Sequence, residues 1–232
     1  MDKILYSVLI IFMVYSGIPN IHFRFFSKRV HKRLPRNGKH IALTFDDGPD
    51  PRYTPRFLDL LKKYGIKCTF FVLGEQAKAN PELIRRMTAE GHQVGLHANS
   101  HKDAMFMTYG MLKKDFESSL SALQDMGIRV RFYRPPWGLV NVTSNSFIRK
   151  YQFEPFLWSI HAMDWSRNTD VKHIIDVLTQ KVRPGDIILL HDGRGAGEAP
   201  LRTLAALETA LPVLLSQGYE FVIPGAMQSK HS

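Results

Sequence analysis

The stretch HIALTFDDGPDP, His40–Pro51, decides how the rest of the chain is read. Ile41–Phe45 is an apolar and β-branched run of strand type. Two adjacent carboxylates, Asp46 and Asp47, follow it, and Gly48-Pro49 then turns the chain. In extended backbone neighbouring side chains point to opposite faces, so both acids serve one site only if the chain bends. Gly48-Pro49 supplies a bend. A plain turn is the competing reading of the same residues, since Asp, Gly and Pro are ordinary turn formers.

Outward from that strand, short β-branched or apolar runs alternate with longer segments of helical period. Strands are expected at Ile41–Phe45, Lys67–Leu73, Gln93–His97, Val130–Arg134, Phe156–Ile160, Asp186–Leu190 and Tyr219–Ile223. Helices are expected at Tyr53–Tyr64, Pro81–Glu90, Tyr109–Met126, Thr143–Tyr151, Val171–Val182 and Leu201–Gln217. Asp170 can cap the helix from Val171, and Gly65, Gly91, Gly127 and Gly218 follow helix ends. This alternation predicts an α/β fold: a distorted (β/α) barrel of about seven parallel strands, preceded by an N-terminal hydrophobic helix. The division falls near residue 40, with an anchor and basic segment at 1–39 and the barrel domain at 40–232.

Barrel strands converge at their C-terminal ends, so reactive groups belong there. Asp46 and Asp47 follow the first strand, and His97 and His101 the third. Arg134 stands at the fourth with PPWG. His161, Asp164 and Trp165 follow the fifth, and His191 and Asp192 the sixth. The spacing of His97 and His101 would set both imidazoles on one face of a helical turn; two surface histidines are the alternative. Joined by a carboxylate from the first strand, they make a two-His, one-Asp set with a fourth position open for water, the arrangement of catalytic zinc. One acid would then ligate the metal while its neighbour takes a proton from water. Arg134 as a surface ion-pair partner, Asp164 as a cap and Trp165 as simple core remain the plainer readings of those positions.

These residues resemble the NodB-homology polysaccharide deacetylases, carbohydrate esterase family 4. TFDDGP is similar to the first motif of the family and HANSH to the second, with Ala98 where Ser or Thr is usual. RPPWG is similar to the third, with Trp137 in place of Tyr; HAMDW to the fourth, with His161 in place of Asp; and LLH to the fifth. The resemblance runs over roughly residues 40–224. It implies that Asp47, His97 and His101 hold a divalent metal, zinc first and Co2+, Ni2+ or Mn2+ as alternatives. It further implies that Asp46 is the general base oriented by Arg134, and that the Trp137 N–H helps hold the oxyanion. His191 would be the general acid paired with Asp164, and Leu189 and Trp165 would line the pocket for the acetyl methyl group. The implied activity is removal of N-acetyl groups from an amino-sugar glycan or glycolipid, with an O-acetyl esterase or a catalytically silent glycan-binding domain as alternatives.

The N-terminal segment Ile4–Ile21 carries no charge over 18 residues, just enough to cross a bilayer. Its short n-region and the lack of a small-x-small site favour an uncleaved anchor over a signal peptide or a buried helix. Residues 1–39 hold eight Lys or Arg against one acid, while the remaining 193 hold 23 bases against 20 acids, so the formal +10 is mostly a local cluster. Beside an apolar segment such a cluster suits lipid headgroups better than nucleic acid, and no nucleic acid partner is expected. The positive-inside rule would keep the domain in the cytoplasm, but relatives act on either side and the side stays open. The single Cys68, within IKCTFFVL, reads as a buried thiol. Gly193, Gly195 and Gly197 in HDGRGAGEAP look like a dinucleotide loop, but Glu198 stands where the third glycine would meet pyrophosphate, and no nucleotide cofactor is expected.

Overall fold

The computed structural model describes residues 2–224; the final stretch assigned above to the domain, 225–232, lies outside the described residues. Eight strands are present among them: β1 His40–Asp46, β2 Thr69–Leu73, β3 Gln93–Ala98, β4 Phe132–Tyr133, β5 Glu154–Pro155, β6 Ile160–His161, β7 Ile187–His191 and β8 Glu220–Phe221. All pairs are parallel, in the order β5-β4-β3-β2-β1-β7-β6, with β8 beside the first residues of β1. The sheet is a curled, open barrel, as the alternation of elements predicts.

One expected strand is corrected. Phe156–Ile160 is not one strand; β5 ends just before it on the edge of β4, and β6 begins only at Ile160, on the edge of β7. Residues 156–159 therefore cross the seam between the two sheet edges, where no continuous partner exists. The helix Gly74–Ala79 was not anticipated, because its first residue reads as a turn glycine. A Cβ at Gly74 would lie 2.7 Å from the Ser119 backbone, so glycine there permits close packing on the helix Tyr109–Gln124. The expected helix from Val171 is α-helical only to Asp176 and continues as a π-type turn, Val177–Lys181.

The two-residue period of the strands sorts the barrel interior into levels. Leu34, Ala42, Phe71, Phe132, Phe156 and Ile187 form an apolar cluster inside the barrel. Burial of each large side chain contributes about 1.5–3 kcal/mol. Two and four residues further along the strands, the same inner face carries Thr44 and Asp46 on β1 and Leu189 and His191 on β7. Arg134 lies two residues after Phe132. Cα register pairs Asp46 with His191 across β1 and β7. The apolar floor thus fixes the height at which the polar groups stand.

The N-terminal helix, Lys3–Phe26, is long and apolar enough to cross a membrane. Its second half and the basic segment after it pack with the barrel. Ser16 is fully buried and donates to the Met105 carbonyl at 2.8 Å; Phe23 and Val30 join the main core. His31 pairs with the seam through its N–H to the Pro155 carbonyl and its carbonyl to the Leu157 N–H, at 2.9 and 2.8 Å. Leu34 then plugs the barrel floor, and Arg33 makes an ion pair with the buried Asp186. Cys68 is fully buried beside His92, and burial raises its thiol pKa, as an inert thiol requires.

Candidate active site

At the end of β1 the bend falls on Asp47 itself, whose φ of 75° swings its carboxylate back toward the side of Asp46. Gly48 follows because a Cβ there would lie 2.3 Å from an oxygen of Asp192. The backbone of the Asp47 turn also rules out a side chain at Gly193, whose Cβ would sit 2.6 Å from the Asp47 carbonyl oxygen. Gly193 of HDGRGAGEAP is thus used for close packing around the acidic turn, while a Cβ at Gly195 would meet Ala199 and Trp165.

Asp47 meets two histidines. Its Oδ1 lies 3.5 Å from His97 Nε2 and 3.3 Å from His101 Nε2, and that buried oxygen has no hydrogen-bond partner among the described residues. The three ligand atoms lie within 4.8 Å of one another. His97 Nδ1 donates to the Arg134 carbonyl at 2.7 Å, which leaves Nε2 with its lone pair toward Asp47. Burial lowers both imidazoles to about 3, so both are neutral, the form that ligates a metal. Burial, with Asp46 nearby, pushes Asp47 up to about 7. An orphaned carboxylate oxygen facing two neutral imidazoles fits a divalent cation, which would satisfy that oxygen and hold the acid ionised.

The histidines do not converge through a helical turn, as their spacing suggested. His97 is the next-to-last residue of β3, and His101 sits in a loop with φ of 56°. Asp115, from the helix Tyr109–Gln124, accepts the Asn99 N–H at 3.0 Å and fixes this loop. It does so where Ala98 lacks a hydroxyl. Trp137 also has positive φ, 53°, and its half-exposed indole packs edge-on against His101 at 4.3 Å between ring centroids. Left-handed backbone at three non-glycine residues of one site is a cost that the surrounding packing must hold in place.

Asp46 is almost fully buried and takes a different partner. Arg134, fully buried, donates from Nη1 to Asp46 Oδ1 at 2.7 Å and to Thr44 Oγ1 at 2.8 Å, and from Nη2 to the Leu157 carbonyl at 3.1 Å. Its guanidinium lies over Phe71, 4.2 Å from the ring centroid. By itself the Arg134 guanidinium would lower the pKa of Asp46. The net direction is upward, because burial outweighs the opposing pull of Arg134 and His191. A raised carboxylate pKa brings a proton acceptor closer to neutral pH.

His191 stands in register with Asp46, and Asp164 holds it from behind. His191 Nδ1 donates to Asp164 Oδ1 at 3.0 Å, and its backbone N–H donates to Oδ2 at 2.8 Å. Thr203 Oγ1 also donates to Oδ2, at 2.9 Å. Burial alone would lower the His191 pKa; Asp164, with Asp46 and Asp47, outweighs it and lifts the ring to about 9. Trp165 packs edge-on against His191 at 5.2 Å, and buried Leu189 lies two residues below it on the same strand face. His161 is exposed and stacks toward Trp165 at 5.3 Å.

All ten residues to which the resemblance gives a role lie in this one region: Asp46, Asp47, His97, His101, Arg134, Trp137, Asp164, Trp165, Leu189 and His191. Sequence reasoning missed Asp115, Thr203 and Arg194, whose Nε lies 3.9 Å from Asp47 Oδ2. It also gave no role to Asp192, a buried acid held by Thr54 Oγ1 at 2.6 Å. Only Asp192, next to the strand-end His191, carried a positional signal.

A family profile for polysaccharide deacetylase matches residues 33–156. The chain belongs to that family. A peptidoglycan-N-acetylglucosamine deacetylase of Bacillus cereus is 37% identical over 201 residues, which are 85% of this chain and 92% of the relative. A chitooligosaccharide deacetylase of Sinorhizobium fredii is 36% identical over 200 residues, 81% of this chain and 93% of the relative. A solved peptidoglycan N-acetylglucosamine deacetylase superposes with a TM-score of 0.80 at 30% identity, covering 86% of this chain and 92% of that one. The family resemblance read from the five motifs is borne out, and this polysaccharide deacetylase is a hydrolase that acts on carbohydrate.

Proposed function

We propose that this deacetylase removes N-acetyl groups from a glycan containing N-acetylglucosamine, with one divalent metal, zinc first, held by Asp47, His97 and His101. The observation that carries this is the unpartnered Asp47 Oδ1 facing two neutral imidazoles, beside a separate Asp46–Arg134 pair and a separate His191–Asp164 pair. When bound, the ion would polarise the acetamide carbonyl and make water more acidic. Asp46 takes the proton of the water that adds to the carbonyl carbon; Arg134 holds that carboxylate in place. The Trp137 N–H donates to the carbonyl oxygen as charge develops there. As the C–N bond breaks, protonated His191 gives its Nε2 proton to the departing nitrogen, and acetate and a free amine result. Leu189 and Trp165 enclose the methyl group. Acetate release should occur with N-acetylglucosamine oligomers and not with acetylated xylan; release from xylan alone would make the enzyme an O-acetyl esterase.

The roles of His191 and Asp164 make a pH prediction. A proton donor works only while protonated, so activity falls as pH rises through the His191 pKa, about 9. The same upward shift stabilises the fold fully below the unfolded His value and is lost as pH rises through about 9. Asp164→Asn removes the charge that raises the ring, so the alkaline limb of the kcat/KM profile should move to lower pH. An alkaline limb unchanged in Asp164→Asn would remove this pair from the acid role.

We read the helix Lys3–Phe26 as an uncleaved anchor, which makes acetylated sugars held near a membrane the nearest substrates. Cleavage within its second half would take Ser16 and Phe23 out of the packed structure. The basic cluster is partly used by the fold, since Arg33 pairs with Asp186 and Lys39 donates to the Gln217 carbonyl. Its charge is therefore a weaker guide to sidedness than its count suggests.

A further inference from the structure

The N-terminal helix is packed on the barrel along only part of its length. Tyr15 donates to the Met107 carbonyl at 3.0 Å, and Ser16 to that of Met105 at 2.8 Å. The Asn20 side chain bonds both backbone groups of Val140, accepting its N–H at 2.8 Å, and Arg24 reaches the Trp137 carbonyl at 3.5 Å. The stretch Ile4–Val14 carries no charge and is exposed except at Phe12, which is half-buried. Eleven helical residues rise about 16 Å, at about 1.5 Å each. That is roughly half of a hydrocarbon core of about 30 Å.

A helix that crosses the bilayer while docked must therefore carry its docked residues, and the loops they touch, into the near side of the membrane. Those loops have the composition this demands. AMFMTYGML, Ala104–Leu112, has no charged residue, and neither has GLVNVTSNSFI, Gly138–Ile148. Large apolar side chains point outward from them: Phe106 is 71% exposed, Tyr109 61%, Met111 45% and Val142 44%. Phe12 of the helix stacks on Phe106 at 6.1 Å, so the exposed apolar surface runs without a break from helix to rim. A cleft of about 420 Å³ between them is lined by Tyr15 from the helix and Met105, Phe106, Met107 and Tyr109 from the rim. Exposed apolar surface of this extent marks an interaction site.

We infer that the barrel rim formed by Phe106, Tyr109, Met111 and Val142 is itself seated in the lipid bilayer beside the helix, so that the active-site mouth opens at the membrane surface. This rests on the anchor reading. Trp137, beside the metal-site histidines and in contact with Arg24 of the helix, then stands at headgroup level, where Trp is favoured. The substrate is reached from the lipid side, as a sugar tethered to, or lying against, the headgroups.

The test uses the full chain in vesicles of phosphatidylcholine and phosphatidylglycerol. Cys68 is fully buried, so single cysteines introduced by Phe106→Cys, Ile10→Cys and Glu208→Cys can carry an environment-sensitive fluorophore. The label at 106 should shift to the blue on reconstitution and lose emission to lipids with a shallow doxyl quencher; the label at 10 should be lost to a deeper one, and the label at 208 should stay water-like. A lipid-exposed label at 10 with a water-like label at 106 would overturn the inference and leave the anchor reading standing. Water-like labels at both would overturn both. Shielding at 106 that depends on protein concentration rather than on lipid would assign the rim to a second copy of the chain, which also overturns it.

Discussion

Asp46→Asn is expected to lower acetate release by about 10²–10⁴-fold, the range a positioned general base supplies, while the protein still binds zinc. The two oxygens of Asp46 are divided in their tasks: Oδ1 takes the Arg134 bond at 2.7 Å, and Oδ2 lies 3.9 Å from His97 Nε2, toward the Asp47–His97–His101 group. Asparagine keeps the shape and an oxygen for Arg134 but cannot accept a proton. Metal analysis beside the rate assay separates the two carboxylates. A variant that keeps its rate would remove Asp46 from the base role, and one that loses zinc would make Asp46 a ligand.

Arg134→Leu is expected to destabilise the fold by about 3–5 kcal/mol, the cost of removing one partner of a buried ion pair. Arg134 is wholly buried and bonds Asp46, Thr44 and the Leu157 carbonyl, so it ties β1, β4 and the seam between β5 and β6 together. Its loss leaves Asp46 buried without its bonded cation and removes the Arg134 donors to Thr44 Oγ1 and the Leu157 carbonyl. Denaturant unfolding of Arg134→Leu, Asp46→Asn and the double variant would measure this. The double variant should cost less than the sum of the two, because the residues form one unit. A change below about 1 kcal/mol for Arg134→Leu, the level of exposed ion pairs, would contradict the structural role given to it.

The strand ends carried most of what was legible in the sequence. An apolar run followed by paired acids put Asp46 and Asp47 at a barrel mouth, and the same reasoning brought in His97, Arg134 and His191. The two-residue period explains why this worked: the floor residues and the reactive residues of one strand share a face, so hydrophobicity fixes where the polar groups point. Less visible were features set by contacts distant in sequence. The spacing of His97 and His101 fits a helical turn, yet a loop held by Asp115 does the work. Nothing local to Phe156–Ile160 says that the sheet opens there, since β propensity does not register the absence of a partner strand.

The upward shift at Asp46 was not legible, because burial cannot be read from a motif. The basic segment was legible as charge, but the packing of Val30 and Leu34 was not. Two apolar residues among many cations resemble a flank more than a plug. The inner cluster shows why they matter: Leu34 fills the floor where the open seam would leave the barrel hollow.

On the proposed function, Asp47, His97 and His101 hold the metal on which hydrolysis depends. The most direct measurement is acetate release from N-acetylglucosamine oligomers by chelator-stripped enzyme as zinc is returned stepwise. Activity should be absent at the start and restored at one zinc per chain. Full activity in the stripped enzyme, with no response to zinc, cobalt, nickel or manganese, would contradict the account.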